Sequence, residues 1–324
     1  MLHKFLGACA LTFGLIAPWA SATAADSYPS MPIKLVVPFS AGGQSDIVAR
    51  LIAERLQSGL GQPVIIENVA GAGGMIAAAR VLRADPDGYT LLMPNASTLT
   101  IVPYLQKDTP VKPDSFAPIS TVSQFPLVLV VNSQSPYQTL KDVVAAAKAA
   151  PQALTFATPG YGTTPHLMGE LFNREAGIAV THVPYKGGAP ALNDLIAGRV
   201  DIFFEAPATV LPYIQTGKLR ALAVTGDSRA PLLPDVPTVT AEGMPQLTLA
   251  SWSAFVAPPG TPPAIIERLR AELDKALKNE DLVKKLQERG YGVITNHPAE
   301  LAKMIQDEGA RWAQLIKDRN ITMQ

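Results

Sequence analysis

Cysteine is all but missing from this sequence: Cys9 stands alone, inside an apolar amino-terminal stretch. A chain that loses that stretch has neither a disulfide nor a thiolate nucleophile, so its stability must come from a large core. An excess of one charge is missing as well. The 27 basic and 27 acidic residues cancel. Lys4 is the one charged residue ahead of position 25, so the processed chain carries a net charge of about −1. Such a chain has no general field to draw nucleic acid or a membrane surface. Beyond the amino terminus no apolar run approaches the ~20 residues of a spanning helix.

Catalytic signatures are lacking too. Residues 71–76 (Gly-Ala-Gly-Gly-Met-Ile) lack the last glycine of a dinucleotide fingerprint, and residues 160–165 put Pro165 there. Gly217-Lys218 has Pro212 where a phosphate loop needs its leading glycine. No serine sits in a Gly-x-Ser-x-Gly elbow and no His-Glu-x-x-His pair exists. No catalytic residue, metal or cofactor is therefore expected. After the leader only His166, His182 and His297 remain. His182 within a strand and His297 before a proline read as structural. His166, in the first turn of a helix, could donate to an anion.

What is present begins with a leader. Residues 1–4 form a short basic region, residues 5–19 are almost uninterruptedly apolar, and small residues follow at Ala20, Ala22, Ala24 and Ala25. Ala22-Thr23-Ala24 suits a signal-peptidase pocket, with cleavage before Ala25 and residues 1–24 removed. The run is too short and too interrupted by Pro18 for an anchor. Leu6-Gly7-Ala8-Cys9 only loosely resembles a lipobox, since too little apolar sequence precedes Cys9. Export, cleavage and release are expected.

The body alternates strand and helix. Residues 33–39 are a β-branched run ending in Ser40-Ala41-Gly42-Gly43, and Ile47, Val48, Leu51, Ile52 and Leu56 then recur at helical spacing behind a Ser45 or Asp46 cap. Strands are expected at 64–66, 89–93, 127–131, 154–157, 180–183, 201–204 and 219–225, with helices at 75–84, 140–150, 165–175 and 192–197. This alternation implies α/β architecture, with parallel-rich sheets covered by helices on both faces. The last third turns helical after a proline-rich segment at 258–263. Two apolar strands, 127–131 and 249–257, bracket the central block and read as hinge strands, the sole connections between two lobes. The expected lobes are residues 25–125 with 248–324, and residues 126–247.

In such sheets ligands gather at the carboxyl ends of strands, where helix N-termini present free N–H groups and the positive end of the dipole. Three glycine-bearing loops qualify: 38–46, 158–166 and 184–190. In the second, Thr164 reads as an N-cap with Pro165 at the first helical position.

At these loops the sequence resembles the Bug family, the periplasmic receptors of tripartite tricarboxylate transporters. Pro-Phe-x-x-Gly-Gly-x-x-Asp at 38–46 looks like its opening signature. The likeness continues through Glu67-Asn68, Gly71-Ala72-Gly73-Gly74, Asp87-Gly88-Tyr89, residues 160–167 and 183–188, Gly198-Arg199-Val200-Asp201, residues 219–225, Asp235-Val236-Pro237-Thr238 and residues 257–262. It covers essentially the whole processed chain. The resemblance implies a Venus-flytrap fold whose lobes close on a small carboxylate, gripped by backbone groups and water. It nominates Phe39, Ser40, Ala41, Gly42, Gly43 and Ser45 on one lobe, opposed by Gly162, Thr163, Thr164 and His166. Tyr161, Phe203, Phe204, Glu205 and Trp252 are expected to shape the distal pocket, with a slight lean to an aromatic or bulky carboxylate. It also implies a periplasmic location and integral-membrane transporter subunits as partners; a monomer is expected.

The sequence departs from the family at Met75, where asparagine is common after Gly-Gly, and at Glu205-Ala206, where Asp-Asn is common. Asn95-Ala96-Ser97-Thr98 replaces a glycine- and threonine-rich loop. These positions tune the far end of the ligand. Two other readings stand beside the receptor. One is a sensor that shows its ligand to a signalling kinase. The other is an enzyme using Glu205 and His166 as an acid–base pair.

Overall fold

Val128 and Val130 on one face of a strand, Leu129 and Val131 on the other, all fully buried, make a strand that only a two-sided core can hold. The computed structural model describes residues 28–106 and 108–322, so the expected leader lies outside the described residues. In chain order it runs β1 (Ile33–Val37), α1 (Gln44–Leu60), β2 (Val64–Asn68), α2 (Met75–Leu82), β3 (Thr90–Leu92), α3 (Ala96–Thr100), α4 (Val102–Leu105) and β4 (Ala117–Pro126). There follow β5 (Val128–Asn132), α5 (Leu140–Ala149), β6 (Thr155–Thr158), α6 (Thr164–Ala176), β7 (Thr181–Pro184), α7 (Gly188–Ile196), β8 (Ile202–Glu205), α8 (Pro207–Gln215) and β9 (Leu219–Val224). The chain closes with β10 (Ala250–Ala257), α9 (Pro263–Leu277), α10 (Glu280–Gln287) and α11 (Pro298–Asp318).

The strands form two five-stranded sheets, β2-β1-β3-β10-β4 and β7-β6-β8-β5-β9. Each is mixed rather than parallel throughout. β1 pairs in parallel with β2 and β3, and β6 with β7 and β8, whereas β10 and β5 run antiparallel to both their neighbours. The antiparallel strands are those flanking the passage from one sheet to the other. Helices cover both faces. Leu35, Phe255 and Val37 meet α1, α9 and α10 on one side of the first sheet, while Val36, Trp252 and Val256 meet α2, α3 and α11 on the other. In the second sheet Phe203 faces α7 and α8, and Phe204 faces α5 and α6. The period of two that drives each strand's burial also places these neighbouring phenylalanines in opposite cores.

The chain passes between the sheets at Leu127 and again through 225–249. Thr225 ties both passages together. Its N–H donates to Leu127 O (2.8 Å) and its hydroxyl accepts from Leu127 N–H (2.9 Å). The same hydroxyl donates to Leu249 O (2.6 Å), and Leu249 N–H returns a bond to Thr225 O (2.7 Å). The strands are not the sole link, however. α11 buries Leu301 and Ile305 against the first sheet and Trp312, Leu315 and Ile316 in the core of the second. Its half-buried Glu308 accepts from Trp252 Nε1 (2.6 Å), Trp312 Nε1 (3.0 Å) and Thr100 Oγ1 (3.2 Å). Burial pushes this carboxyl's pKa up, against those three donors. Trp252, expected near a ligand, is thus a core residue anchored to a bridging helix.

Candidate functional site

Between the sheets lies a cleft of about 460 Å³, a volume in the range of small-molecule sites. The first sheet's side supplies Phe39, Ser40, Gly43, Gln44 and Ser45 from the β1–α1 turn, Asn95 and Ser97 from the start of α3, Phe125 and Ser251. The second supplies Pro159, Thr163, Thr164 and Pro165 before and within α6, Gly187 and Gly188 at the start of α7, Glu205 at the end of β8 and Thr209 in the first turn of α8. Leu127, on the passage between the sheets, lines the cleft as well. Gln44 Nε2 donates across the gap to Thr209 Oγ1 at 3.1 Å.

The N-terminal turns of α1, α6, α7 and α8 therefore meet at one place. The sequence leaves most of them open. Gly43, Gly187 and Ala206 occupy the N-cap positions of α1, α7 and α8 and provide no side-chain cap. First-turn N–H groups have no partner inside their own helix, so uncapped turns offer donors and partial positive charge. No Lys, Arg or His lines the cleft among the described residues. Lys186, the one cation of the three loops, is exposed outside it. The arrangement suits an anion held by neutral donors.

The β1–α1 turn is braced from below by Asp46, which is not the helix cap. Its carboxylate accepts from Gly42 N–H (2.8 Å), Arg50 Nε (2.9 Å) and Asn68 Nδ2 (3.0 Å), and Asn68 also donates to Phe39 O (3.0 Å). Burial pushes its pKa up, but the bonds from Arg50, Gly42 and Asn68 outweigh this and hold it below the usual carboxylate range. Gly42 N–H is consequently spent inward, and Gly43 N–H on Ser40 O (3.2 Å). Gly42 has φ +79°, a left-handed value that explains the glycine.

The second loop is braced by aromatics. His166 and His182 stack at 4.2 Å, with Tyr161 edge-on to both at 5.4 and 5.1 Å. His166 Nδ1 accepts from Gly162 N–H (3.2 Å), and His182 Nε2 pairs with Thr158 Oγ1 (2.6 Å). Burial, with His182 beside it, pushes His166 down to about 3, and burial pushes His182 down to about 4, so both rings are neutral at neutral pH. Thr163, not Thr164, is the α6 N-cap, accepting from His166 N–H (3.4 Å).

Of the nominated residues, Phe39, Ser40, Gly43, Ser45, Thr163, Thr164 and Glu205 come together in the cleft. Ala41 and Gly42 lie on the exposed outer side of their turn. Tyr161, Gly162 and His166 lie behind the α6 turn, outside the lining. Phe204 is core, its ring 5.9 Å from Phe172, and Phe203 is equally buried on the opposite face. Glu205 and His166 do not form a pair, since His166 is outside the lining and its Nδ1 is taken by Gly162. Gln44, Phe125, Thr209 and Ser251 also line the cleft without having been nominated, and Asn95 and Ser97, singled out only as departures that tune the ligand's far end, join them. Gln44 and the 95–98 turn were visible as loop residues. Phe125 belongs to β4, whose buried Ser120, Thr121 and Ser123 conceal a strand. Among the described residues no cluster of His, Cys, Asp and Glu could hold a metal, and no helix is long and apolar enough to cross a membrane.

The model of the tripartite tricarboxylate transporter family receptor matches residues 48–321. Protein BugT of Bordetella pertussis is 37% identical over 319 residues, covering 98% of this chain and 97% of its own. Among solved structures, Rpa4515 of R. palustris with adipate has a TM-score of 0.82 at 33% identity, covering 92% of this chain and 100% of its own. MatC of Rhodopseudomonas palustris with bound malate has a TM-score of 0.78 at 33% identity, covering 89% and 100%.

Proposed function

As the chain belongs to the tripartite tricarboxylate transporter receptor family, we propose that it captures a small carboxylate in the periplasm and delivers it to the membrane subunits of such a transporter. The family consists of transport receptors, not enzymes. The observation that carries the ligand class is the cleft itself: the N-terminal turns of α1 and α6 face it among hydroxyl and amide side chains, with no cation in the described lining and its one acid, Glu205, at the α7 and α8 end. The carboxylate sits against the first turns of α1 and α6, bridging the two sheets. Malate and adipate in the related structures support this class. Phe39, Phe125 and Leu127 offer an apolar wall for a ligand body, whereas the aromatics first nominated for that task lie in cores or behind the α6 turn. Residues 1–24 act as the export leader, residues 25–125 with 248–324 and residues 126–247 as the closing lobes, and the receptor works as a monomer.

A melting-temperature screen of the purified protein tests the reading. At 100 times Kd a ligand adds about 2.7 kcal/mol, a shift of several degrees. Some carboxylates should produce it and also reduce the radius of gyration in solution scattering. Shifts from sugars or amines, with none from any carboxylate, would refute it.

A further inference from the structure

The cleft's donors are neutral, yet it contains one ionisable side chain among its described lining, and that is an acid. Glu205 ends β8 and is 8% exposed. Its Oε1 accepts Ala206 N–H at 2.7 Å, the N–H of the α8 cap position. Its Oε2 has no hydrogen-bond partner among the described residues and lies against the first residue of α7, Gly188. A Cβ built on Gly188 would stand 3.1 Å from it, a tight contact that glycine avoids. A half-satisfied acid facing a ligand cavity acts on whatever the ligand presents to it.

Resting on the carboxylate-receptor reading, we propose that Glu205 selects the far end of the ligand. The cleft takes a carboxylate whose other end donates a hydrogen bond, an ammonium or a hydroxyl, and discriminates against a second carboxylate. One end of such a ligand lies at the α1 and α6 turns. The other meets Oε2, which accepts from it and completes the acid's own hydrogen bonding. A dicarboxylate instead sets two carboxylates against one another away from water, a repulsive element of the kind that produces specificity.

No charged neighbour relieves that repulsion. Burial raises Glu205 to about 7, with only the Ala206 N–H working the other way. Tyr291, near it from the other side, is held neutral by burial and by the Glu205 charge. His166 on α6 and His182 on β7 are neutral, and Lys186 before α7 is exposed outside the cleft. A dicarboxylate can therefore be admitted only with Glu205 protonated, which ties its affinity to pH.

The test pairs ligands of equal length: succinate with 4-aminobutanoate, glutarate with 5-aminopentanoate, and adipate with 6-aminohexanoate. Each is titrated calorimetrically into the wild type and Glu205→Gln. At pH 8 the wild type should prefer the amino member by tenfold or more, and Glu205→Gln should abolish that preference by tightening the dicarboxylate. A second readout needs no variant: dicarboxylate binding to the wild type should strengthen about tenfold from pH 8 to pH 6, following the protonated fraction. If dicarboxylates bind the wild type better than their amino partners at pH 8, or the preference is unchanged in Glu205→Gln, this inference falls and the receptor reading stands. If no member of any pair binds while other carboxylates raise the melting temperature, the inference falls alone; if no carboxylate of any kind binds, the receptor reading falls and takes the inference with it.

Discussion

Gln44 and Thr209 join the two sides of the cleft through a 3.1 Å hydrogen bond from Nε2 to Oγ1. Both belong to first turns of facing helices, α1 and α8, so the bond exists only when the sides are near each other. A ligand touching both sides favours that arrangement by its differential affinity, and this bond adds to the same state. Thr209→Val keeps the volume and removes the acceptor. It should weaken ligand binding by about 1 kcal/mol and enlarge the ligand-free radius of gyration. Scattering curves identical to wild type would show that the bond does not bias closure.

The passage between the sheets depends on Thr225 in a different way. Its hydroxyl satisfies Leu127 N–H and Leu249 O at once, and it is fully buried. Thr225→Val leaves both backbone groups unpaired, at roughly 1–3 kcal/mol each. Thr225→Ser retains the hydroxyl and should remain much closer to wild type. Urea midpoints of the two variants check the ordering.

Much of this arrangement was legible in the chain. The β1–α1 unit was plain because Val48, Ile52 and Leu56 keep helical spacing, and the strands flanking the passages between the sheets because 127–131 and 249–257 are apolar. What escaped detection is instructive. β4 buries serine and threonine, so its pattern does not read as core. α11 shows its apolar spacing, but nothing in that spacing tells that Trp312 and Leu301 enter different cores. Phe203 and Phe204 look like a pocket wall in one dimension, until strand alternation sends them to opposite faces. The cap at Thr163 was misplaced by one residue because two threonines precede Pro165. Asp46 looked like a cap, but its carboxylate turns back to the Gly42 N–H and to Asn68, a partner 22 positions away that local pattern does not reveal.

Asp46 also sets a pH dependence. Its folded-state pKa is lowered. The stability it contributes is therefore fully present above the unfolded value of about 3.9 and is lost as pH falls through the lower folded value. At pH 7 the brace is ionised. Asp46→Asn should flatten the stability profile at the acid end of a series from about pH 5 downward, and should loosen ligand binding at neutral pH. Urea midpoints along that series, paired with calorimetry at pH 7, measure both effects.

Charge and backbone shape can be separated at the cleft. Lys186 is exposed outside it, so Lys186→Ala should change carboxylate affinity by less than about fivefold. Gly42→Val forces a branched residue into φ +79°, at roughly 1–2 kcal/mol or more of backbone strain, and displaces the turn that Asp46 braces. It should weaken binding far more than Lys186→Ala. Thr164→Val removes a cleft hydroxyl and should cost on the order of 1–3 kcal/mol. Calorimetric titration of the three variants, each confirmed folded by circular dichroism, gives the ordering.

In the proposed receptor, neutral donors at converging helix N-termini hold a carboxylate between the two sheets. A crystal structure with a carboxylate that raises the melting temperature tests this arrangement most directly. Carboxylate oxygens are expected within hydrogen-bond distance of first-turn N–H groups of α1 and of Thr163 or Thr164, with no lysine or arginine paired to them. A carboxylate seated outside the cleft, or ion-paired to Lys186, would contradict it.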